Sequence, residues 1–222
     1  MLSNYTNLIN IYYTRFDKEL PKDIWDDLIK RIPDDQQVKN GRYRRWQDRH
    51  AHLLGKMLMI EGFKNIDGSK DIFQLIQYNE FGRPCLKGRI DFNITHSGNW
   101  VMCAIGMDAN VGIDVEEIQT IDFNDFTNVM TTDQWQHIRQ SDDPTKEFFR
   151  YWTIKESVIK ADRRGLTIPL LDIHVHSHMV QYDSNNWYLN ELHIDDSYCA
   201  CLATDQRDPD IQLNYIDFYN LG

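Results

Sequence analysis

Apolar residues recur at two different spacings along the chain, and the succession of the two predicts an α+β fold. Period-two stretches, which are typical of strands, occupy residues 9–16, 71–78, 92–95, 100–106, 112–115, 172–180, 187–194, 198–203 and 211–218. Helical spacing occupies residues 21–32, 42–62, 122–130, 132–140 and 145–162. Both halves read as a strand, helices and then a β-meander. We therefore expect two similar α/β subdomains, residues 1–106 and 107–222, related by a pseudo-twofold axis, with a site at their junction.

The composition is that of a folded globular protein, with 41% hydrophobic and 26% charged residues in a chain of 222. No window approaches the roughly 20 apolar residues that a membrane span needs, so we expect no membrane segment. The N-terminal residues lack a basic segment followed by an apolar run, so we expect no secretory signal. The cysteines lack CxxC spacing, which favours a reduced, cytoplasmic protein. They are Cys85, Cys103, Cys199 and Cys201.

Charge is unevenly distributed along the chain. The net charge of −10 argues against a general nucleic-acid binder. Basic residues nevertheless crowd residues 39–56, where Asp48 is the single acid, and again residues 146–164. The first group comprises Lys39, Arg42, Arg44, Arg45, Arg49 and Lys56. Such patches can bind a compact polyanion or an acidic partner, and solvated helix faces would give the same pattern.

Two segments supply carboxylates at informative spacings. Asp114 and Glu116 are two apart in a predicted strand, so both side chains leave the same face, where a divalent cation such as Mg²⁺ would relieve their repulsion. Glu156 and Lys160 are four apart in a predicted helix, and Trp152 shares their face. Taken singly, the segments fit an exposed strand end and an ordinary ion pair. Together they suit a divalent cation that holds a pyrophosphate, which indicates phosphoryl transfer.

Histidines offer two further candidates. His96 falls in a predicted tight turn with Ser97 and Gly98, where a ring nitrogen and backbone N–H groups can donate to phosphate, although turn histidines are also often simply solvated. A second group, His174, His176 and His178, lies on one face of a predicted strand without a fourth ligand, so we interpret it as a polar strand face.

Three segments resemble the signatures of the 4′-phosphopantetheinyl transferases, in the order and spacing of the long, Sfp-type branch. They are Phe-Asn-Ile-Thr-His-Ser-Gly at 92–98, Val-Gly-Ile-Asp-Val-Glu at 111–116 and Trp-x-x-Lys-Glu-Ser-x-x-Lys at 152–160. Gly-Arg-Pro at 82–84 and Asp-x-x-x-x-Leu-Leu-Gly at 48–55 extend the similarity, which covers roughly residues 39–170. The resemblance implies a pseudo-twofold α+β fold with coenzyme A and Mg²⁺ in the cleft between the halves.

The resemblance also implies roles for individual residues. Mg²⁺ would be held by Asp114, Glu116 and Glu156, and Glu156 would act as base towards the serine hydroxyl of a carrier protein. Phosphate charge would be neutralised by Lys160 and His96, with Lys155 and Thr95 beside them. Adenine would be lined by Gly82, Arg83 and Pro84. The family's basic contact to the 3′-phosphate is here Ala51, so one or more of four others would replace it: Lys39, Arg42, Arg45 or Arg49.

The sequence therefore predicts a Mg²⁺-dependent enzyme that transfers 4′-phosphopantetheine from coenzyme A to an apo acyl or peptidyl carrier protein. A non-catalytic coenzyme A-binding homologue that docks carrier proteins is the alternative, and another Mg²⁺-dependent phosphotransferase or pyrophosphatase is a second. We expect a monomer without nucleic-acid partners, because two fused halves can build the site in one chain. The residues Phe123, Phe126, Val129 and Met130 are candidates either for the carrier-binding surface or for the core.

Overall fold

The computed structural model describes residues 7–67 and 72–220, apart from the side chains of residues 65–67 and 166. The helices are α1 (Lys22–Ile29), α2 (Asp34–Gly41), α3 (Trp46–Asp67), α4 (Ile72–Leu75), α5 (Thr132–Gln140) and α6 (Pro144–Asp162). The strands are β1 (Leu8–Arg15), β2 (Ile76–Tyr78), β3 (Pro84–Leu86), β4 (Ile90–Ser97), β5 (Trp100–Met107), β6 (Val111–Glu117), β7 (Val175–His176), β8 (Met179–Tyr182), β9 (Asn185–Glu191), β10 (Tyr198–Thr204) and β11 (Asp210–Tyr215). Among the described residues no helix is both long and apolar enough to span a membrane.

The first sheet has the strand order β11-β1-β5-β4 and carries α3 on one face. Strand β5 is buried along nearly its whole length, as its continuous apolar run predicts for a central strand. Helix α3 approaches this sheet closely at Gly55, where an added Cβ would lie 3.0 Å from Cγ2 of Ile94. The missing side chain at Gly55 therefore allows α3 to lie close against β4.

The second sheet has the strand order β6-β10-β9-β8-β7 and carries α6 on one face. Helix α6 begins with Pro144 behind an Asp143 cap, whose Oδ1 accepts from the Lys146 N–H at 3.0 Å. It ends at Arg163, which adopts the left-handed conformation with a φ of 75°. An ion pair of 3.1 Å between Arg163 and Asp91 ties this end to the first sheet.

The two sheets pack face to face and bury a shared apolar layer. The layer includes Ile9, Ile11, Met102 and Ala104 from the first sheet and Val111, Ile113, Val115, Ala200 and Leu202 from the second. Helix, sheet, sheet and helix therefore form four layers, and the predicted α+β fold is confirmed. The pseudo-twofold relation between the halves stays a prediction.

Strands β4 and β6 each end one sheet, and they lie side by side without belonging to a common sheet. Alternate side chains of β4 face β6, and we call this set the β4 polar row: Asp91, Asn93, Thr95 and Ser97. At the N-terminal end of the row, Asp91 Oδ2 accepts from the Val111 N–H at 2.9 Å and Asn93 Oδ1 accepts from the Ile113 N–H at 2.8 Å. The row therefore satisfies backbone groups that an edge strand would otherwise expose.

Several predicted elements were wrong in their bounds or type. Residues 72–75 are helical before the short β2 strand, whereas Asp71 lies outside the described residues. The predicted strand at 172–180 is broken by a turn at Ser177, whose φ is 55°. Helix α3 begins at Trp46 instead of 42, α2 was not predicted, and residues 122–130 hold a single 3-10 turn at Phe123–Phe126.

The last strand departs from the predicted division of the chain at residue 106. Strand β11 pairs in parallel with β1, so it extends the first sheet. Phe218, which follows it, is buried in the core under α3. Residues 107–222 are therefore not one contiguous packing unit, because their C-terminal end completes the other half.

Candidate active site

The alternation of β6 directs two carboxylates towards α6. Val111, Ile113 and Val115 face the other sheet, so Asp114 and Glu116 face the helix. Asp114 is only 3% exposed, which is unusual for a carboxylate that lacks a full set of partners. The predicted arrangement of these two side chains on one face agrees with this geometry.

Helix α6 presents a matching stripe to β6. Trp152, Glu156 and Lys160 are partly exposed, whereas most of the residues between them are buried. Lys160 Nζ donates to Asp114 Oδ1 at 2.6 Å and to the Ile113 carbonyl at 3.3 Å. Lys160 is thus paired with the strand, and no ion pair joins it to Glu156 among the described residues. The ordinary helix ion pair that the spacing allows is not the one that forms.

The carboxylates at this junction are short of positive charge. Burial raises the pKa of Asp114 above its ordinary value. Burial, and then the neighbouring Asp114 charge, raise the pKa of Glu116. Burial also raises the pKa of Glu156, and Asp114 acts in the same direction while Lys160 opposes them. A further cation between these groups would lower the cost of ionising all three.

One carboxylate oxygen in this site lacks a hydrogen bond. Oδ2 of Asp114 is buried and has no hydrogen-bond partner, whereas Oδ1 accepts hydrogen bonds from both Lys160 Nζ and Thr95 Oγ1. The described residues contain no group of three metal-ligating side chains already gathered around one point. The donor set of carboxylate oxygens nevertheless fits a hard divalent cation such as Mg²⁺, and the free Oδ2 is the natural first ligand.

The end of β4 forms the third wall of the site. His96 and Ser97 are the last residues of the strand, and the turn lies at Gly98, whose φ is 51°. The predicted turn at His96 was therefore placed two residues too early. Thr95 Oγ1 lies 3.2 Å from Asp114 Oδ1 and 3.3 Å from Lys160 Nζ. His96 belongs to the opposite face of β4, the face that is covered by α3.

His96 belongs to a group of basic side chains, the α2–α3 cation cluster, with Lys39, His52 and Lys56. Burial, and then the charges of Lys56, Lys39 and His96, together lower the pKa of His52 to about 4. Burial and Lys39 lower the pKa of Lys56. His52 Nε2 is buried without a hydrogen bond, and its Nδ1 lies 3.2 Å from Asn40 Nδ2. No ion pair engages Lys39 or Lys56 in the described part of the chain.

The other basic residues predicted for the 3′-phosphate carry exposed side chains. Ala51, a residue of α3, is buried in the core between this helix and the first sheet. Arg42, Arg45 and Arg49 are exposed, and Arg49 reaches back towards the Arg44 carbonyl. Lys56 was noted only as part of the basic group at residues 39–56, and neither His52 nor Lys56 was assigned to the 3′-phosphate from the sequence. Their four-residue spacing on one helix face was the available signal.

The predicted adenine-binding segment is a tight turn held by Asn79. Oδ1 of Asn79 accepts from the Arg83 N–H at 2.8 Å, and Gly82 has a φ of 78°. The Arg83 guanidinium is occupied within the protein, where it binds both oxygens of Asp91 at 3.1 and 3.2 Å and the Val111 carbonyl at 2.9 Å. Arg83 therefore joins the two sheets, and its charged group is not presented to a ligand.

Lys155 does not reach the site. The side chain is fully buried, and Nζ donates to the Leu170 carbonyl at 2.6 Å. Burial lowers its pKa to about 8, without a contribution from any of the site's carboxylates. The expectation that Lys155 lies beside the phosphates therefore conflicts with the structure, because this side chain points to the far flank of α6.

Two further groups can be placed. Phe123, Phe126 and Val129 are partly buried against Phe148 and Trp152, and Met130 is buried with them. The histidines considered as metal ligands are exposed along the broken segment at 174–178, namely His174, His176 and His178.

Comparison with known proteins agrees with this geometry. Residues 110–204 match the model of the 4′-phosphopantetheinyl transferase superfamily. The chain is 30% identical to the 4′-phosphopantetheinyl transferase gsp of Aneurinibacillus migulanus over 73% of its length and 69% of that protein. It is 28% identical to the 4′-phosphopantetheinyl transferase Sfp of Bacillus subtilis (strain 168), over 90% of its length and 88% of Sfp. The corresponding figures for psf-1 of Bacillus pumilus are 30%, 69% and 67%. The chain belongs to the 4′-phosphopantetheinyl transferase family.

Proposed function

We propose that this chain transfers the 4′-phosphopantetheine group of coenzyme A to a serine of an apo acyl or peptidyl carrier protein. The observation that carries the proposal is the 2.6 Å ion pair between Lys160 and the buried Asp114, with Glu116 and Glu156 near enough for their charges to interact with both residues. Carboxylates whose pKa values are raised by burial, next to a lysine, suit a divalent cation that bridges a pyrophosphate. This arrangement supports transfer at the pyrophosphate over simple coenzyme A binding.

The three carboxylates would hold Mg²⁺, with the unpartnered Oδ2 of Asp114 as one ligand. Bound there, the metal would neutralise charge on the pyrophosphate and make the phosphate a better electrophile and leaving group. The Lys160 ammonium group would then donate one hydrogen bond to Asp114 and another to a phosphate oxygen. Thr95 keeps this ammonium in place, because its hydroxyl oxygen accepts from Lys160 at 3.3 Å.

Glu156 would serve as the base towards the carrier serine. As the serine oxygen bonds to the β-phosphorus, its proton passes to a Glu156 oxygen, directly or through water. The bond from that phosphorus to the bridging oxygen breaks, and adenosine 3′,5′-bisphosphate leaves with the electron pair. The raised pKa of Glu156 supports this role, since a base is more effective as its pKa approaches the working pH.

The α2–α3 cation cluster would bind the 3′-phosphate of coenzyme A. The charge of Lys39 lowers the pKa of both His52 and Lys56, and the charge of Lys56 lowers that of His52, so a dianion among them would relieve repulsion that the free protein carries. His96 interacts electrostatically both with this cluster and with Lys160. Burial, and then the charge of Lys160, lower the pKa of His96. Lys39 is thus the best supported of the four basic residues inferred from the sequence. The exposed Arg42, Arg45 and Arg49 would add only long-range attraction.

Adenine would lie against the Gly82–Pro84 turn. With the Arg83 guanidinium engaged by Asp91, contact there would come from the backbone of Gly82 and Arg83 and the ring of Pro84. Phe123 and Phe126, next to Trp152, would offer an apolar edge to the carrier. Much of the basic run at 146–164 is engaged in ion pairs, as for Arg150 with Glu147 and Glu191, so it would contribute little to docking.

We further propose a cytoplasmic monomer without nucleic-acid partners. All four cysteines are free, and three are buried with raised pKa values, which suits a reducing compartment. The net charge of −10 opposes binding to nucleic acid.

The decisive experiment incubates the protein with coenzyme A, Mg²⁺ and apo carrier proteins from fatty-acid, polyketide and peptide synthases. A carrier that gains the mass of one phosphopantetheine arm is the expected result, and Glu156→Gln should abolish the gain while leaving the fold intact. Tight coenzyme A binding with no transfer to any carrier would instead support the docking homologue. Release of phosphate from nucleotides would support another phosphotransferase or a pyrophosphatase.

A further inference from the structure

The C-terminal end of the β4 polar row reaches Asp114 and Glu116 of β6. Ser97 Oγ donates to Glu116 Oε2 at 2.8 Å, and the same oxygen accepts from the Glu117 N–H at 3.1 Å. Thr95 Oγ1 donates to Asp114 Oδ1 at 3.2 Å. Asp114 and Glu116 are therefore each bound through one oxygen by a hydroxyl group from the other sheet.

The Ser97 hydroxyl is fixed from both sides. Its lone pair is held by the backbone of β6, so its proton has one favourable direction, which is towards Glu116. Glu116 is partly exposed and repelled by Asp114, so its flexible side chain would otherwise turn towards solvent. The Ser97 hydroxyl, with a second hydrogen bond from the Trp152 side chain, thus favours the rotamer in which Glu116 stays beside Asp114.

We propose that Ser97 is a positioning residue for the metal site: it binds one oxygen of Glu116 so that the other faces the same point as the free oxygen of Asp114. The proposal rests on the proposed function, because it assigns the metal to these carboxylates. Partners behind metal ligands typically account for 10–100-fold in metal affinity. Since Ser97 belongs to the opposite sheet, metal affinity would depend on the contact between β4 and β6.

The row itself provides a matched control. Asn93 also spans from β4 to β6 and is also partly exposed, but it accepts from the Ile113 backbone and touches no carboxylate. Asn93→Ala should weaken the contact between the strands without disturbing Glu116. A general loosening of this contact can thus be separated from the specific effect on the carboxylate.

The test is Mn²⁺ binding to the full chain, measured from the signal of free Mn²⁺ in electron paramagnetic resonance, with and without coenzyme A. We expect Ser97→Ala to raise the Mn²⁺ dissociation constant about tenfold, Ser97→Thr to stay within about threefold of the wild type, and Asn93→Ala to leave it unchanged. Thermal unfolding of each variant establishes that the protein measured is folded. Should Ser97→Ala not fold, Ser97→Cys, whose thiol is a weaker donor, should give an intermediate constant.

Two results would overturn the proposal. In the first, Ser97→Ala, or Ser97→Cys in its place, binds Mn²⁺ as tightly as the wild type. In the second, Asn93→Ala weakens binding as much as Ser97→Ala, which would show a general loosening. A wild-type protein that binds no Mn²⁺ with coenzyme A present would overturn the metal site of the proposed function as well. The failures of the two proposals are therefore distinguishable.

Discussion

Gly112 of β6 and Ala161 of α6 meet backbone to backbone. A Cβ on Gly112 would lie 2.9 Å from Cα of Ala161 and would overlap the Ala161 nitrogen and the Ser157 carbonyl oxygen. Since β6 carries Asp114 and α6 carries Lys160, this contact sets the distance between the two sources of site residues. The 2.6 Å ion pair between them depends on it.

Gly112→Ala should therefore be strongly destabilising. The obstructing atoms are backbone and cannot move aside, so we expect a loss of about 3 kcal/mol or more in the free energy of unfolding. Urea unfolding measures it. Gly41→Ala is the control, because a Cβ there meets nothing within 4 Å and should leave stability unchanged or slightly higher. Equal stabilities for the two variants would refute the close contact.

Lys160→Met should cost both stability and activity. It leaves Asp114, which is 4% exposed in its side chain, without its cation, and breaking a buried ion pair typically costs about 3–5 kcal/mol. Part of this loss should return on addition of Mg²⁺, which supplies another cation to the same carboxylate. Unfolding measured with and without Mg²⁺ gives the loss of stability and the part of it that Mg²⁺ restores. Lys146→Met, at an exposed position on the same helix, should show neither change.

Lys155→Met should leave the KM for coenzyme A within about twofold of the wild type, despite its place beside Glu156 in the sequence. Lys155 has a folded pKa of about 8, below the ordinary lysine value of 10.5, so the folded state binds fewer protons than the unfolded state between these values. Stability of the wild type should therefore rise with pH from about 8 to 10.5, and the variant should lose this rise. A tenfold increase in KM would contradict the buried position.

Lys56→Met should raise the KM for coenzyme A about tenfold, since a charge-assisted hydrogen bond contributes about 1.5–3 kcal/mol. It should have little effect on the KM for 3′-dephospho-coenzyme A, which lacks the phosphate. Arg45→Met serves as the comparison, because this exposed side chain should change neither constant by more than about twofold. Equal effects on both substrates would remove Lys56 from the 3′-phosphate site.

His52 should make stability depend on pH in the acid range. Its folded pKa of about 4 lies below the ordinary histidine value of 6.5, so the unfolded chain binds the extra proton between these values. The free energy of unfolding should rise with pH across this window by at most about 1.4 kcal/mol per pH unit. His52→Gln should flatten the rise, whereas His174→Gln, on an exposed loop, should not. An equal slope of the free energy of unfolding against pH in the two variants would argue against a His52 that is neutral in the folded state.

The carboxylate site was predictable because its residues follow the periods of the elements that carry them. Asp114 and Glu116 alternate with apolar residues on β6, and Glu156 and Lys160 are one turn apart on α6. Lys155 was placed beside the phosphates by the family resemblance and not by this period, and its side chain lies on a different side of the helix from Glu156.

Contacts between distant segments could not be predicted in the same way. The partner of Arg83 is Asp91, and the terminal strand β11 returns to β1, which no local period indicates. The polar alternation of Asp91, Asn93, Thr95 and Ser97 was visible in the sequence. Its meaning depends on β6 lying opposite, which only tertiary packing determines.

The β4 polar row also bears on how the chain avoids self-association. Strands β4 and β6 are sheet edges whose free backbone groups would attract a strand from another molecule. Each covers the other, and the link is made through side chains instead of a continuous ladder. Separating the two sheets takes two cuts, one between β5 and β6 and one between β10 and β11, and it would uncover both edges at once. We therefore expect the separated sheets to aggregate, whereas the intact chain should remain dispersed.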